Sequence, residues 1–163
     1  MLNTPARLDA HGTLKTCSAR LLRLGLMAVI LGTLGGAGVQ DAVRARQANF
    51  RVLSRNVQQV VKGLGNGVPI ADMRPSILAA QRALDRIPSL FPAGSHEGRT
   101  RALPLVWSEP ALFKQTYQAA ADRMEELVVA SQTSDRDAFG AAVGRMAAAC
   151  GTCHSKFRSD RPM

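Results

Sequence analysis

The stretch Cys150-Gly151-Thr152-Cys153-His154 restricts this chain more than any other. Two cysteines three apart, followed at once by a histidine, form the C-x-x-C-H pattern through which a c-type haem is attached. The spacing has a chemical reason. Positions i, i+3 and i+4 lie on one face of a helix, so both thiols reach the vinyl groups at a porphyrin edge. The imidazole then swings under the iron as an axial ligand. Two other uses of paired cysteines compete. Half of a zinc site needs a second Cys/His pair, and the remaining histidines are only His11 and His96. A thioredoxin-like redox pair belongs beside a βαβ pattern, and nothing strand-rich surrounds this one.

The 163 residues suffice for one domain, but the first 38 read as a leader. Arg7, Lys15, Arg20 and Arg23 form a basic region with one acid, Asp9. An apolar run from Leu24 to Leu31 follows, then small residues from Gly32 to Gly38. Basic, apolar, small is the order of a secretory signal peptide. Cleavage near Gly38 leaves residues 39–163 as the mature domain, exported to the periplasm. An uncleaved anchor needs about 20 apolar residues, and glycines interrupt this run well short of that. Cys17 falls in the leader, so the mature chain keeps Cys150 and Cys153 alone. Export suits them, because c-type haem is attached outside the cytoplasm, where two bare thiols otherwise pair.

The whole chain carries a net charge of +9. Its basic residues past the leader are mostly single arginines spread along helices. With one Trp and one Tyr to stack on bases, the chain lacks a nucleic-acid footprint. A solvated basic surface, open to an acidic redox partner, is the better reading.

Four segments carry helical periodicity. The first spans about 41–63, where Val43, Phe50, Val57 and Leu64 repeat every seven residues and Leu53 and Val60 fill the seam. Arg46 occupies a seam position that calls for an apolar residue. Either its stem snorkels at the end of the bundle, or its guanidinium meets a buried anion, a role that haem propionates would fill. The second segment, about 71–86, places Ile70, Met73, Ile77, Ala80, Leu84 and Ile87 on one face, with Pro75 expected in the first turn or so. A long Gly/Pro-rich loop from Ser89 follows, closed by Trp107 as a plug. Ser108 is the expected N-cap of the third helix, with Pro110 near N1. Phe113, Tyr117, Ala120, Met124, Leu127 and Ser131 form its inner stripe. Ser134 is the expected cap of the fourth, with Asp137 completing an acidic capping box. The stripe of that helix runs Phe139, Val143, Met146, Cys150, Cys153 and Phe157. Both thiols thus share a seam with core residues, which places the porphyrin inside the bundle, beside a face thinned by Ala141, Ala142, Ala147, Ala148 and Ala149. Four antiparallel helices with two short connections and one long one give an all-α, up-down-up-down four-helix bundle.

Three separated pieces of the chain resemble the cytochrome c′ family, the class II c-type cytochromes. The first runs from Asp41 to Phe50 with its Arg46-Gln47 pair; the second is Val106-Trp107-Ser108-Glu109-Pro110 with Phe113-Lys114-Gln115. The third is Cys150 to Arg158, its C-x-x-C-H lying late in the chain. The resemblance implies one covalent haem c, with Cys150 and Cys153 as thioethers and His154 as proximal iron ligand. It implies that Arg46 and Gln47 contact a propionate, that Phe50 lies over the distal face, and that Arg158 sits near the proximal histidine. Without the family position, Phe50 reads as a plain core aromatic. The resemblance also implies homodimers through the first two helices.

Between Val39 and Asp72 there is no Met and no His, so the first helix offers no sixth ligand. The expectation is five-coordinate, high-spin iron behind an apolar lid. Nitric oxide and carbon monoxide can enter such a site, nitric oxide with the greater effect because it weakens the iron–histidine bond opposite. The expected role is gas binding with a capacity for one-electron transfer among periplasmic redox partners, and not catalysis. The alternative is a six-coordinate, low-spin carrier, which would need Met73, Met124 or Met146 on the iron.

Overall fold

The structure, a computed structural model, describes residues 15–160, with side chains from Gly38 onward. The leader reading over residues 1–38 rests on side chains outside the described residues. The chain divides into two compact units, residues 1–38 and 39–163, and the account below concerns the second. Among the described residues no helix is long and apolar enough to cross a membrane.

Helix α1 runs Lys15–Gly65 and α2 runs Ile70–Asp85. A 3₁₀ turn at Ile87–Leu90 and an irregular loop over 91–104 lead to the short α3, Leu105–Ser108. Then come α4, Pro110–Ala130, and α5, Arg136–Phe157. Leu53 and Val60 of α1, Ile77 of α2, Met124 of α4 and Phe139 of α5 meet in one apolar core. The long helices form a four-helix bundle in which sequence neighbours run antiparallel. Asn49 Nδ2 donates to Ala83 O (2.7 Å) near one end of the α1–α2 pair, while Gly63 faces Met73 near the other. Glu126 of α4 pairs with Arg145 of α5 while Phe113, earlier on α4, meets Phe157, later on α5, so those two also run opposed.

Local chemistry explains the boundaries. Gly67 supplies the left-handed turn (φ 74°) after α1. Arg136 closes the same corner by donating to Leu64 O (3.0 Å) and Val68 O (2.9 Å), so carbonyls released at the end of α1 find a charged donor. At Gly63 a Cβ would lie 2.6 Å from Met73 Sδ, so the absent side chain permits the close approach of α1 and α2.

Three expectations about helix starts need correction. Helix α2 begins at Ile70, which puts Pro75 in its second turn. The carbonyl one turn back, at Ala71, loses its donor there, and both residues are exposed, so the carbonyl is open to solvent. The residue at the N-cap position of α4 is Glu109, not Ser108, which ends α3; Pro110 takes N1 as expected. The cap of α5 is Asp135, not Ser134: its carboxylate accepts from Asp137 N (3.0 Å) and Ala138 N (2.9 Å). An anion there also meets the positive end of the helix.

The stripes fall where periodicity puts them. Ala120, Met124 and Leu127 are buried on α4, as are Phe139 and Met146 on α5. The deepest large side chains are Phe139, Ile77 and Met124.

Candidate functional site

The candidate attachment residues occupy the last two turns of α5. Cys150, Cys153 and His154 are each half-buried, with Cys150 packed against the core and Phe157 buried one turn beyond His154. Both cysteines are free thiols. Burial pushes Cys150 above the ordinary thiol value; burial and then its neighbour Cys150 do the same to Cys153. The pair therefore sits as neutral thiols at neutral pH. Burial, then the charges of Arg158 and Arg101, lower His154 below the usual imidazole range. A neutral imidazole is the form that ligates a metal.

Around these residues the apolar lining turns aromatic. Phe50, half-buried on α1, meets Phe91 edge-on with ring centroids 6.4 Å apart. Phe91 meets Phe113 at 5.0 Å, and Phe113 meets Phe157 at 5.2 Å. A chain of rings thus links Phe50 to the attachment helix. Trp107 is tied in by its contact with Phe91 (5.8 Å) and by an Nε1–H bond to Pro92 O (3.0 Å). It is half-buried, pinning the loop rather than plugging the core.

Arg46 is 3% exposed, which overturns the snorkelling expectation. In place of a buried anion it has neutral oxygens. Its guanidinium donates to Leu90 O, Ser95 Oγ, Ser95 O and Thr100 Oγ1 at 2.8–3.2 Å. Its carbon lies 4.5 Å from the Phe91 ring centroid, a cation–π contact. Gln47 Nε2 donates to Arg99 O (2.7 Å). One turn before Phe50, these two residues hold the loop along much of its length. Arg158 is the exposed C-cap of α5, its N–H donating to His154 O (3.1 Å).

The sequence-predicted residues therefore fall into two groups. Cys150, Cys153, His154 and Arg158 share the end of α5, while Arg46, Gln47 and Phe50 share one turn of α1. Phe91, Ser95, Thr100 and Arg101 join them from the loop, unforeseen in the sequence. Phe91 is the one with a signal, as the one large apolar ring between Leu90 and Trp107. A groove of about 500 Å³ between α4 and α5 is lined by Thr116, Arg123, Arg145 and Thr152 but by none of the attachment residues. It belongs to the outer face of the bundle and not to this site.

The donor set fits a haem. It offers paired neutral thiols, an imidazole that makes no hydrogen bond among the described residues, and half-buried rings able to flank a flat macrocycle. A covalent haem motif on the inner face of a bundle's last helix defines a c-type haem protein. Residues 41–158 match the model of the family Cytochrome C′, and the chain belongs to that family. With that membership goes one covalently bound haem c per chain.

Cytochrome c′ of Rubrivivax gelatinosus is 31% identical over 121 residues, which are 72% of this chain and 94% of that protein. Among solved structures, a nitric oxide complex of a mutant cytochrome c prime from Alcaligenes xylosoxidans superposes with a TM-score of 0.70. It is 26% identical, covering 76% of this chain and 97% of that one. A carbon monoxide-bound variant of cytochrome c prime from the same organism gives 0.69 at 27% identity, covering 75% and 97%.

Proposed function

We propose that this chain is a periplasmic cytochrome whose haem keeps one axial position open for nitric oxide and carbon monoxide and also passes single electrons. Cys150 and Cys153 form the thioethers and His154 is the proximal ligand. Phe50 stands over the distal face. Arg46 and Gln47 hold the propionates: their present partners are neutral loop oxygens, and a carboxylate competes with those on charge. Arg158 lies beside the proximal histidine. Bound haem supplies a one-electron couple and an iron with a vacant position; the chain supplies attachment, a neutral imidazole and a dry, apolar cover.

The observation that carries this reading is the set of side chains available on the distal side. The stretch from Val39 to Asp72 has no Met or His, and Phe50 has no lone pair to give. Met124 and Met146 lie in the aliphatic core at 1% and 2% exposure, and Met73 is spent against Gly63. The nitric oxide and carbon monoxide complexes of similar proteins support the gas half of the proposal.

Optical spectra of the purified mature protein, ferric, ferrous and with nitric oxide added, test it directly. High-spin bands in both oxidation states and a nitric oxide adduct are the expected result. Low-spin bands from a sixth protein ligand would replace gas capture with electron relay.

A further inference from the structure

Among the described residues Phe50 has one ring neighbour, Phe91. That neighbour is braced far more firmly than Phe50 itself. The Phe91 ring meets those of Phe113 and Trp107 at 5.0 and 5.8 Å, and the Arg46 guanidinium carbon lies 4.5 Å from its centroid. The backbone on either side is tied as well. Leu90 O accepts from Arg46 Nη1 (3.2 Å), while Pro92 O accepts from Trp107 Nε1 (3.0 Å), Ser95 N (3.2 Å) and Ser95 Oγ (2.8 Å). Further on, a short ribbon stitches the loop to α5. Leu103 N–H donates to Phe157 O (2.9 Å), Ser159 N–H donates to Arg101 O (2.7 Å), and Ala102 pairs with Arg158 in an antiparallel bridge. The two rings therefore differ in freedom. Phe50 is half-buried on α1 and can turn about its own side-chain bonds, whereas Phe91 cannot shift without disturbing Arg46, Trp107 and Phe113.

Resting on the reading of Phe50 as the distal lid, we propose that Phe91 is the stop against which that lid closes, and so sets how often the distal face opens to a diatomic gas. It is a positioning residue, because it acts through Phe50. The two rings stand at 71° with centroids 6.4 Å apart, the favoured edge-to-face arrangement. Turning Phe50 away gives up that contact, so the pair lowers the closed state and leaves the open one alone. Ligand entry then waits on a minor open population. The loop takes part in gating by supplying the fixed partner, not the moving one.

The test is a double-mutant cycle in the haem-loaded protein, over wild type, Phe50→Ala, Phe91→Leu and the double variant, with Phe91→Met as a second way to remove the ring. Two quantities are read: carbon monoxide association with the ferrous protein by stopped flow, and the unfolding equilibrium in denaturant. Phe91→Leu and Phe91→Met should each speed association about two- to tenfold, the factor that an edge-to-face ring pair is worth. In the Phe50→Ala background Phe91→Leu should add nothing to the rate, because the lid it steadies is gone. The unfolding constants should depart from additivity by a similar factor. Equal acceleration by Phe91→Leu in both backgrounds overturns the inference, since Phe91 would then be a barrier in its own right. So do additive unfolding constants, or an unchanged rate in both Phe91 variants while Phe50→Ala is fast. An unchanged rate in Phe50→Ala sinks the lid reading itself, and the stop with it.

Discussion

The two ends of the bundle are built from different materials. Where α5 begins, the interior is closed, with aliphatic side chains packed around one ring: Ile77 and Phe139 are fully buried, and α1 and α2 meet at Gly63 and Met73. Where α5 ends, the interior is aromatic and half-covered, with Phe50, Phe91, Phe113 and Trp107 all partly exposed around the attachment residues. Polar ties supplement apolar burial there, chief among them those of Arg46. The closed end supplies most of the stability through burial. The open end leaves ring surface for a flat cofactor to complete. One end can stay partly open because the other is closed without any cofactor.

Substitutions that weigh the two ends against each other test this contrast. The largest loss should come from Phe139→Ala, about 3–5 kcal/mol of unfolding free energy in denaturant titration, with covalent haem retained. A cost no greater than that of Phe50→Ala would break the comparison. Next, Arg46→Met should cost about 1–3 kcal/mol, because Ser95 and the Leu90 carbonyl lose a charged donor. Hydrogen exchange at residues 95–100 should speed up while the amides of α2 stay protected. Phe50→Ala should cost about 1–2 kcal/mol, since its ring is only half-buried. Its principal effect should be faster and tighter carbon monoxide binding, or a water ligand in the ferric protein, and unchanged rates would remove Phe50 as the lid. Smallest, Asp135→Ala should cost about 1 kcal/mol through loss of the α5 cap and leave the haem spectrum unaltered.

The same contrast decides what could be read in the sequence. The closed end obeys a period: Ala120, Met124 and Leu127 recur three and four apart, and so do their burials. The motif at Cys150 is local and needs no fold to be recognised. The open end depends on partners far apart in sequence. Asn49 pairs with Ala83, and Arg46 with Ser95 and Thr100, at separations no periodicity encodes. Arg46 looked out of place on its seam because its partners lie in a loop with no repeat to read. The caps failed for a smaller reason. Ser134 and Asp135 are both competent acceptors, and the backbone turn, not the residue type, decides which one faces the free N–H groups.

Arg46 and Gln47 hold the loop from one margin and the ribbon to α5 holds it from the other, while Gly98 bends (φ 83°) against the side chain of Gln40. A strap fastened on both sides gives up its conformational freedom once, on folding, and gives up no more when a guest arrives. Its unfastening would belong to microseconds or slower, whereas the turn of a single phenyl ring such as Phe50 is far quicker. The clock for entry to this site would therefore be set by one side chain and not by the segment that covers it.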